Sequence, residues 1–119
     1  VIIGRPEQPV TLRELLTRVE GALNRKPIVV GDPLAQIRRL AWCTGAGQSF
    51  FDLAVEAGVD AFITGEISEP SAHLARESGV AFVSAGHHAT ERYGVQAVGE
   101  FLAQEFDLQH QFVDIENPA

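Results

Sequence analysis

The chain has 119 residues, of which 45% are hydrophobic and 21% are charged, and it contains a single cysteine. This length and composition predict one globular domain, and no apolar run reaches the roughly 18 residues that a membrane span needs. Nine Lys and Arg residues against 16 Asp and Glu residues give a net charge of −7. That charge disfavours nucleic acid and an anionic membrane as partners. A lone cysteine cannot form an internal disulfide, which favours the cytoplasm.

The start of the chain is unusual. There is no methionine at any position, and the sequence opens on Val-Ile-Ile without the features of a signal peptide. We therefore expect a fragment of a longer protein. Within residues 1–119, taken as a single α/β domain, we expect residues 1–33 to form a leading helix and a short strand. The turn sequence Gly31-Asp32-Pro33 then leads into a core over 34–119.

The N-terminal segment predicts one amphipathic helix and one strand. Thr11 and Glu14 form a capping-box pattern, and apolar residues then recur at helical spacing as far as Leu23. This predicts a helix over about 11–24. Pro27 ends the helix, and Ile28-Val29-Val30 predicts a short strand.

From residue 37 onward, short apolar strands alternate with helices. We expect strands over 37–43, 61–64, 80–84 and 111–115. One helix begins at Ser49 and ends at Gly58, and a second begins at Ser68 and ends at Gly79. A third carries Val95, Val98, Phe101 and Leu102 on one face. The pattern predicts an α/β fold with a mainly parallel or mixed sheet and helices on both faces, so functional residues should lie at the carboxyl ends of the strands.

The first strand end is a glycine-containing turn. Thr44, Gly45, Gly47, Gln48 and Ser49 lie between a strand and a helix, where backbone N–H groups can bind an anionic substrate. The segment lacks the Gly-Lys-Ser/Thr ending of a P-loop. A tight turn capped by Ser49 is the alternative interpretation.

The second strand end places Glu66 after Thr64-Gly65, with His73 farther along in the following helix. Glu66 is a candidate for proton transfer or for metal binding. His73 is a candidate supporting residue for a metal site. A solvated turn carboxylate and a surface histidine are the alternatives.

The third strand end carries the sequence Gly-His-His-Ala-Thr-Glu. His87 and Glu91 are four residues apart at the start of a helix, so they lie on one face of it. An imidazole with a carboxylate is a common ligand pair for Zn, Fe or Mn, whereas an exposed ion pair is the alternative. His88 points elsewhere and is a candidate proton carrier. A metal site needs at least three protein ligands, so others must come from Glu66, His73, a second subunit or additional sequence.

These motifs together resemble a known family. Ala41-Trp42-Cys43-Thr44-Gly45, Asp60 to Glu66 and Ala85 to Arg92 occur in the order found in the YbgI-like family of dinuclear-metal-centre proteins, the GTP cyclohydrolase 1 type 2 homologues. The segment Phe112-Val113-Asp114-Ile115 and the final Asn117-Pro118-Ala119 also resemble the C-terminus of that family. The similarity covers nearly the whole chain.

The resemblance implies that this chain is the C-terminal half of a protein about twice as long, with two similar α/β halves assembled as a toroidal homohexamer. It assigns His87 and Glu91 as metal ligands and places the remaining ligands in the other half. The implied cofactors are two divalent ions per full-length subunit, with Zn, Fe, Mn and Mg as candidates. The implied function is metal-dependent hydrolysis of a nucleotide or related anionic small molecule, with this half alone inactive. A ring-forming scaffold with a structural or regulatory metal is the alternative.

Overall fold

A five-stranded mixed sheet forms the centre of the chain in the computed structural model, which describes residues 1–118. The strands are β1 (Ile2–Gly4), β2 (Val10–Thr11), β3 (Ile28–Val30), β4 (Gln36–Ile37), β5 (Leu40–Trp42), β6 (Ala61–Thr64) and β7 (Ala81–Ser84). The helices are α1 (Leu12–Leu23), α2 (Phe51–Glu56), α3 (Glu69–Ser78) and α4 (His87–Phe106), and a short 3-10 helix over Gln48–Phe50 leads into α2.

The strand order of the main sheet is β1-β5-β6-β7-β3. Strands β5, β6 and β7 are parallel, whereas the edge strands β1 and β3 are antiparallel to their neighbours. Strands β2 and β4 form a separate antiparallel pair. The mixed form of the predicted α/β sheet is confirmed, and residues 1–33 supply both edges of the sheet.

Successive residues of a strand point to opposite faces of the sheet, so each face has apolar side chains that can pack against helices. Phe62 and Phe82 pack with Phe51 of α2 on one face, and the Phe51 and Phe82 ring centroids are 4.8 Å apart. Val83 packs with Leu12 of α1 on the other face. The helix-covered sheet that the sequence predicted is therefore present.

The start of α1 forms as predicted. The Glu14 N–H donates to Thr11 Oγ1 at 3.2 Å, and the Thr11 N–H donates to Glu14 Oε2 at 2.7 Å. This reciprocal capping box satisfies two N–H groups that the first helical turn would otherwise leave open. Ser68 occupies the predicted N-cap position of α3, but its hydroxyl contacts that of Ser71 and not a backbone N–H group.

Two predicted elements are divided or shortened. The predicted strand 37–43 is two strands, β4 and β5, in different sheets. The chain bends between them because the N–H groups of Arg38 and Arg39 both donate to Asp60 Oδ2, at 2.7 and 2.8 Å. The helix predicted to begin at Ser49 begins instead as the 3-10 helix, and Ser49 does not cap it.

The predicted strand over 111–115 is wrong. This tail does not pair with the sheet and runs back along α4, where its side chains make contacts with that helix. His110 lies against Gly99 of α4, and Asp114 contacts the first turns of that helix. The apolar face predicted for α4 exists, but its side chains are exposed: Val95, Val98, Phe101 and Leu102.

No helix within residues 1–118 is long and apolar enough to cross a membrane.

Candidate functional site

The three predicted strand-end motifs meet at the carboxyl ends of β5, β6 and β7. The Gly45 carbonyl accepts hydrogen bonds from the Gly65 N–H at 2.9 Å and from Thr64 Oγ1 at 3.1 Å. The Gly65 carbonyl in turn accepts bonds from the Gly86 N–H and from Ser84 Oγ, both at 2.9 Å. Since these groups come from three consecutive parallel strands, the motifs form one continuous edge.

His87 lies at the centre of this edge between two carboxylates. Its Nδ1 is 2.6 Å from Glu66 Oε1, and its Nε2 is 3.0 Å from Glu91 Oε2. The second oxygen of Glu66 accepts a bond from Gln48 Nε2 at 3.1 Å. The structure therefore brings together Gln48, Glu66, His87 and Glu91, which the sequence analysis singled out from three separate segments.

Electrostatics favour a charged His87 ring in this arrangement. An ionised carboxylate has no proton to donate, so both ring nitrogens donate only when the imidazole carries two protons. The hydrogen bond to Glu66 raises the pKa of His87, burial opposes that shift, and Glu91 adds to it. The same bond, followed by the bond from Gln48, lowers the pKa of Glu66.

Two glycines make room for this cluster. Gly45 has φ +64°, and a Cβ atom there would collide with the Glu91 carboxylate and lie 3.2 Å from His87 Nε2. A Cβ on Gly65 would lie 2.6 Å from the Gly45 carbonyl oxygen and 2.7 Å from His87 Cα. The absence of a side chain at Gly45 and Gly65 therefore lets the backbone of both turns lie close to His87.

The turn predicted to receive an anion uses its N–H groups internally. The Gly45 N–H donates to Thr90 Oγ1 and the Gly47 N–H to Thr64 Oγ1, each at 3.0 Å. Thr44 and Ser49 are exposed beside them. The anion pocket stays a prediction, and two of its expected donors already have acceptors within the protein.

His88 points away from His87, as the helical spacing predicts. Its Nε2 is 2.9 Å from Asp114 Oδ1, and Arg92 donates to Asp114 Oδ2 at 2.9 Å. The contact with His88, and then the charge of Arg92, lowers the pKa of Asp114. Sequence reasoning missed Asp114 because a strand was predicted there, and no spacing rule joins residues 88 and 114.

His73 lies on α3, where its side chain is 61% exposed and its Nε2 is 3.7 Å from Glu69 Oε1. Its contact is thus with its own helix. The supporting role predicted for it at a metal site is left as a prediction.

The donor atoms around His87 match part of a metal coordination sphere. Two atoms that each lie about 2.1 Å from one ion are about 3.0–3.4 Å apart at octahedral and tetrahedral angles. The separation of 3.0 Å between His87 Nε2 and Glu91 Oε2 falls in this range. Within residues 1–118, however, no group of three or more His, Cys, Asp and Glu side chains is arranged to hold a metal ion. The pair fits two ligand positions and leaves the others to be supplied.

The fold and the site together define an α/β protein with a mixed sheet and a His–Glu pair at the carboxyl ends of its parallel strands. The DUF34/NIF3 (NGG1p interacting factor 3) family model matches residues 1–118. The chain therefore belongs to the DUF34/NIF3 family.

Relatives in this family are longer than the chain. The chain is 50% identical over 119 residues to the GTP cyclohydrolase 1 type 2 homolog of Pseudomonas aeruginosa. This alignment covers 100% of the chain and 47% of that protein. The homolog from Escherichia coli (strain K12) is 52% identical over 117 residues, covering 98% and 47%. The chain thus spans about half the length of the curated relatives it matches.

Solved structures share the fold. Protein ybgI, described as of unknown function, has a TM-score of 0.92 and 52% identity, covering 98% of this chain and 48% of that chain. A Bacillus cereus protein related to NIF3 has a TM-score of 0.87 and 27% identity, covering 98% and 34%. These similarities support the family and fold that the sequence motifs implied.

Proposed function

We propose that this chain supplies one half of a divalent-metal site in a hydrolase that acts on a nucleotide or related anionic small molecule. The observation that carries the proposal is the His87–Glu91 pair, 3.0 Å apart, with Glu66 on the other ring nitrogen of His87. The name of the relatives, GTP cyclohydrolase 1 type 2 homolog, supports the substrate class. The remaining ligands are proposed to come from the rest of a longer chain.

His87 and Glu91 would hold the metal, and bound divalent ions would supply an activated water and polarise the bond under attack. Glu66 accepts from His87 Nδ1–H, which fixes the ring so that Nε2 faces Glu91. A carboxylate in this position orients a metal-binding histidine and increases its basicity. His88 and Glu66 are the proposed proton carriers, with Asp114 holding His88 in place.

The metal content of a longer chain that includes these residues tests the proposal. We expect about two ions per subunit in that protein, as in two-metal hydrolases, and substoichiometric metal in the 119-residue chain alone. The substitution His87→Ala should abolish binding at its site, and Glu66→Ala should weaken metal binding about 10–100-fold.

The control is His110→Ala, because His110 lies against Gly99 on a different part of α4. It should leave the metal content unchanged. Full metal stoichiometry in the His87→Ala protein would overturn the assignment. Stoichiometric metal in the 119-residue chain would instead show that this half is sufficient, which contradicts the split site.

A second candidate function is a ring-forming scaffold with a structural or regulatory metal, assembled as a homo-oligomer of the hexameric type. The exposed apolar face of α4 favours it, since Val95, Val98 and Phe101 are each more than half exposed. Under this alternative, metal raises the melting temperature while GTP and simple phosphoesters are not turned over. A cytoplasmic location is part of either proposal, resting on the single cysteine, Cys43.

A further inference from the structure

An open cavity of about 670 Å³ lies directly beside the His87–Glu91 pair. Its polar lining includes the pair together with His88 and Arg92. Its apolar lining, here called the apolar wall, comes from α4 and the C-terminal tail: Val95, Phe112, Val113 and Ile115.

The apolar wall leaves hydrocarbon in contact with water. Val95, Val113 and Ile115 are 62%, 68% and 75% exposed, whereas Phe112 is partly buried. Covering such side chains is favourable because apolar surface leaves water. Their position in a concavity, beside polar groups that can orient a molecule, is the arrangement of a small-molecule site.

The wall is held in place by charged contacts at Asp114. This residue lies between Val113 and Ile115 in the tail, and its two oxygens contact His88 Nε2 and Arg92 Nη1, each at 2.9 Å. Both partners are on α4, so Asp114 fixes the two wall residues beside it relative to the helix that carries the pair.

The charges around the cavity disfavour a polyphosphate on this chain alone. Arg92 and His88 are both paired with Asp114, and His87 lies between Glu66 and Glu91. Each basic side chain that lines the cavity therefore already has a carboxylate partner. The wall suits the uncharged part of a ligand.

We propose that the apolar wall binds the flat, uncharged aromatic or heteroaromatic body of the substrate, with the reacting group directed toward His87 and Glu91. Asp114 is the positioning residue of this wall. The chemistry at the reacting group rests on the proposed function. Recognition of the uncharged part of the substrate rests on the wall itself.

Binding to the metal-free chain tests the wall apart from the metal site. We would titrate the ¹⁵N-labelled chain in EDTA with guanosine and with GTP, which share a heteroaromatic base and differ in charge. Guanosine should shift the amide signals of residues 95 and 112–115, and GTP should bind no more tightly. The double variant Val113→Ser/Ile115→Ser should weaken guanosine binding at least about fivefold.

Two further variants separate recognition from folding. Val98→Ser is the matched control, because Val98 is 58% exposed on α4 and does not line the cavity; it should leave guanosine binding unchanged. Asp114→Asn should weaken guanosine binding about threefold or more with an unchanged circular dichroism spectrum, since it removes the ionic contact with Arg92.

Three results would overturn the proposal: no guanosine shifts at the wall, GTP binding more than about tenfold tighter than guanosine, or signals of the tail residues 112–115 that move with protein concentration alone. The last result would assign the wall to a second copy of the chain. Loss of metal binding in the longer protein would sink the proposed function while leaving guanosine binding to this wall intact.

Discussion

At the scale of single residues, the charge of His87 depends on the carboxylates on both sides of its ring. The pKa of His87 is raised, so its contribution to stability is fully present below its ordinary value of 6.5 and is lost as pH rises through the raised pKa. The pKa of Glu66 is lowered, so its contribution is fully present above 4.5 and is lost as pH falls through the lowered pKa. Both contributions are complete between pH 4.5 and 6.5.

We therefore predict that Glu66→Gln lowers the pKa of His87 and reduces the stability of the metal-free chain most in that pH window. The imidazole signals of His87 in an NMR titration measure the first effect, and denaturant unfolding at several pH values measures the second. Glu56→Gln, a carboxylate on α2, is the control. An unchanged His87 titration in the Glu66→Gln protein would contradict the ion pair.

Gly45 gives a prediction about close approach. Gly45→Ala should lower the free energy of unfolding by more than the ~1–2 kcal/mol that a positive φ costs, because its Cβ would also displace Glu91. Gly58→Ala is the matched control: its φ is +68°, like the +64° of Gly45, and nothing lies within 4 Å of its Cβ. Unfolding experiments on both proteins isolate the collision, and equal losses would count against it.

At the scale of elements, the capping box fixes the start of α1. Thr11→Ala should reduce the free energy of unfolding by ~1 kcal/mol, since the Glu14 N–H loses its acceptor. Thr17→Ala is the control, because Thr17 lies inside the same helix and its hydroxyl donates back to the Arg13 carbonyl. Thermal unfolding should show no loss for Thr17→Ala. A loss as large as that of Thr11→Ala would show that the cap is not responsible.

Helix α4 contains two glycines in different surroundings. Gly94→Ala should stabilise the chain by ~0.5–1 kcal/mol, because its Cβ would point into open space and alanine favours helix. Gly99→Ala should gain less, since its Cβ would collide with the His110 ring and push the tail away from the helix. Hydrogen exchange of residues 110–115 measures the release of the tail. Equal gains with unchanged exchange would show that the tail does not depend on this contact.

The elements that the sequence predicted well are those with local signals. Thr11 with Glu14 gives the start of α1, and Gly79 with φ +73° gives the end of α3. The tail over 111–115 has the residues of a strand, but Asp114 contacts His88 and Arg92 on α4, and the tail lies along that helix instead of the sheet. The order of strands is a long-range property, so a local pattern could not exclude the tail.

At the scale of the whole molecule, two features act on self-association in opposite directions. The net charge of −7 makes copies of the chain repel one another, whereas an exposed apolar surface favours their association. The exposed face of α4 includes Val98 and Phe106, at 58% and 65% exposure. We predict concentration-dependent self-association in analytical ultracentrifugation that strengthens with salt, because salt screens the repulsion between acidic copies. The double variant Val98→Gln/Phe106→Gln should weaken it without lowering stability.

Leu53→Gln is the control for this prediction, because Leu53 is 57% exposed on α2 and lies outside the α4 face. It should leave association unchanged. A chain that stays monomeric at all concentrations and salt levels would show that this face does not associate with itself.

The candidate site was predictable in its parts and not in its arrangement. Parallel strands place Glu66 and His87 at one edge, and helical spacing joins His87 to Glu91. The hydroxyls of Thr64 and Thr90, which occupy the N–H groups of the glycine turn, follow from side-chain orientation in three dimensions. Spacing alone could therefore not show that two N–H groups of this turn have acceptors within the protein, and the anion pocket stays a prediction.

The edge position of β3 has a consequence for synthesis of the chain. Ile28 pairs with Ser84, so β3 waits for a partner that is synthesised 56 residues later. At ~5–20 residues per second, a ribosome needs ~3–11 s to make that stretch. During that time the apolar residues of β3 lack the strand with which they pair in the folded chain. We expect chaperones to act on this protein at that segment and during that interval.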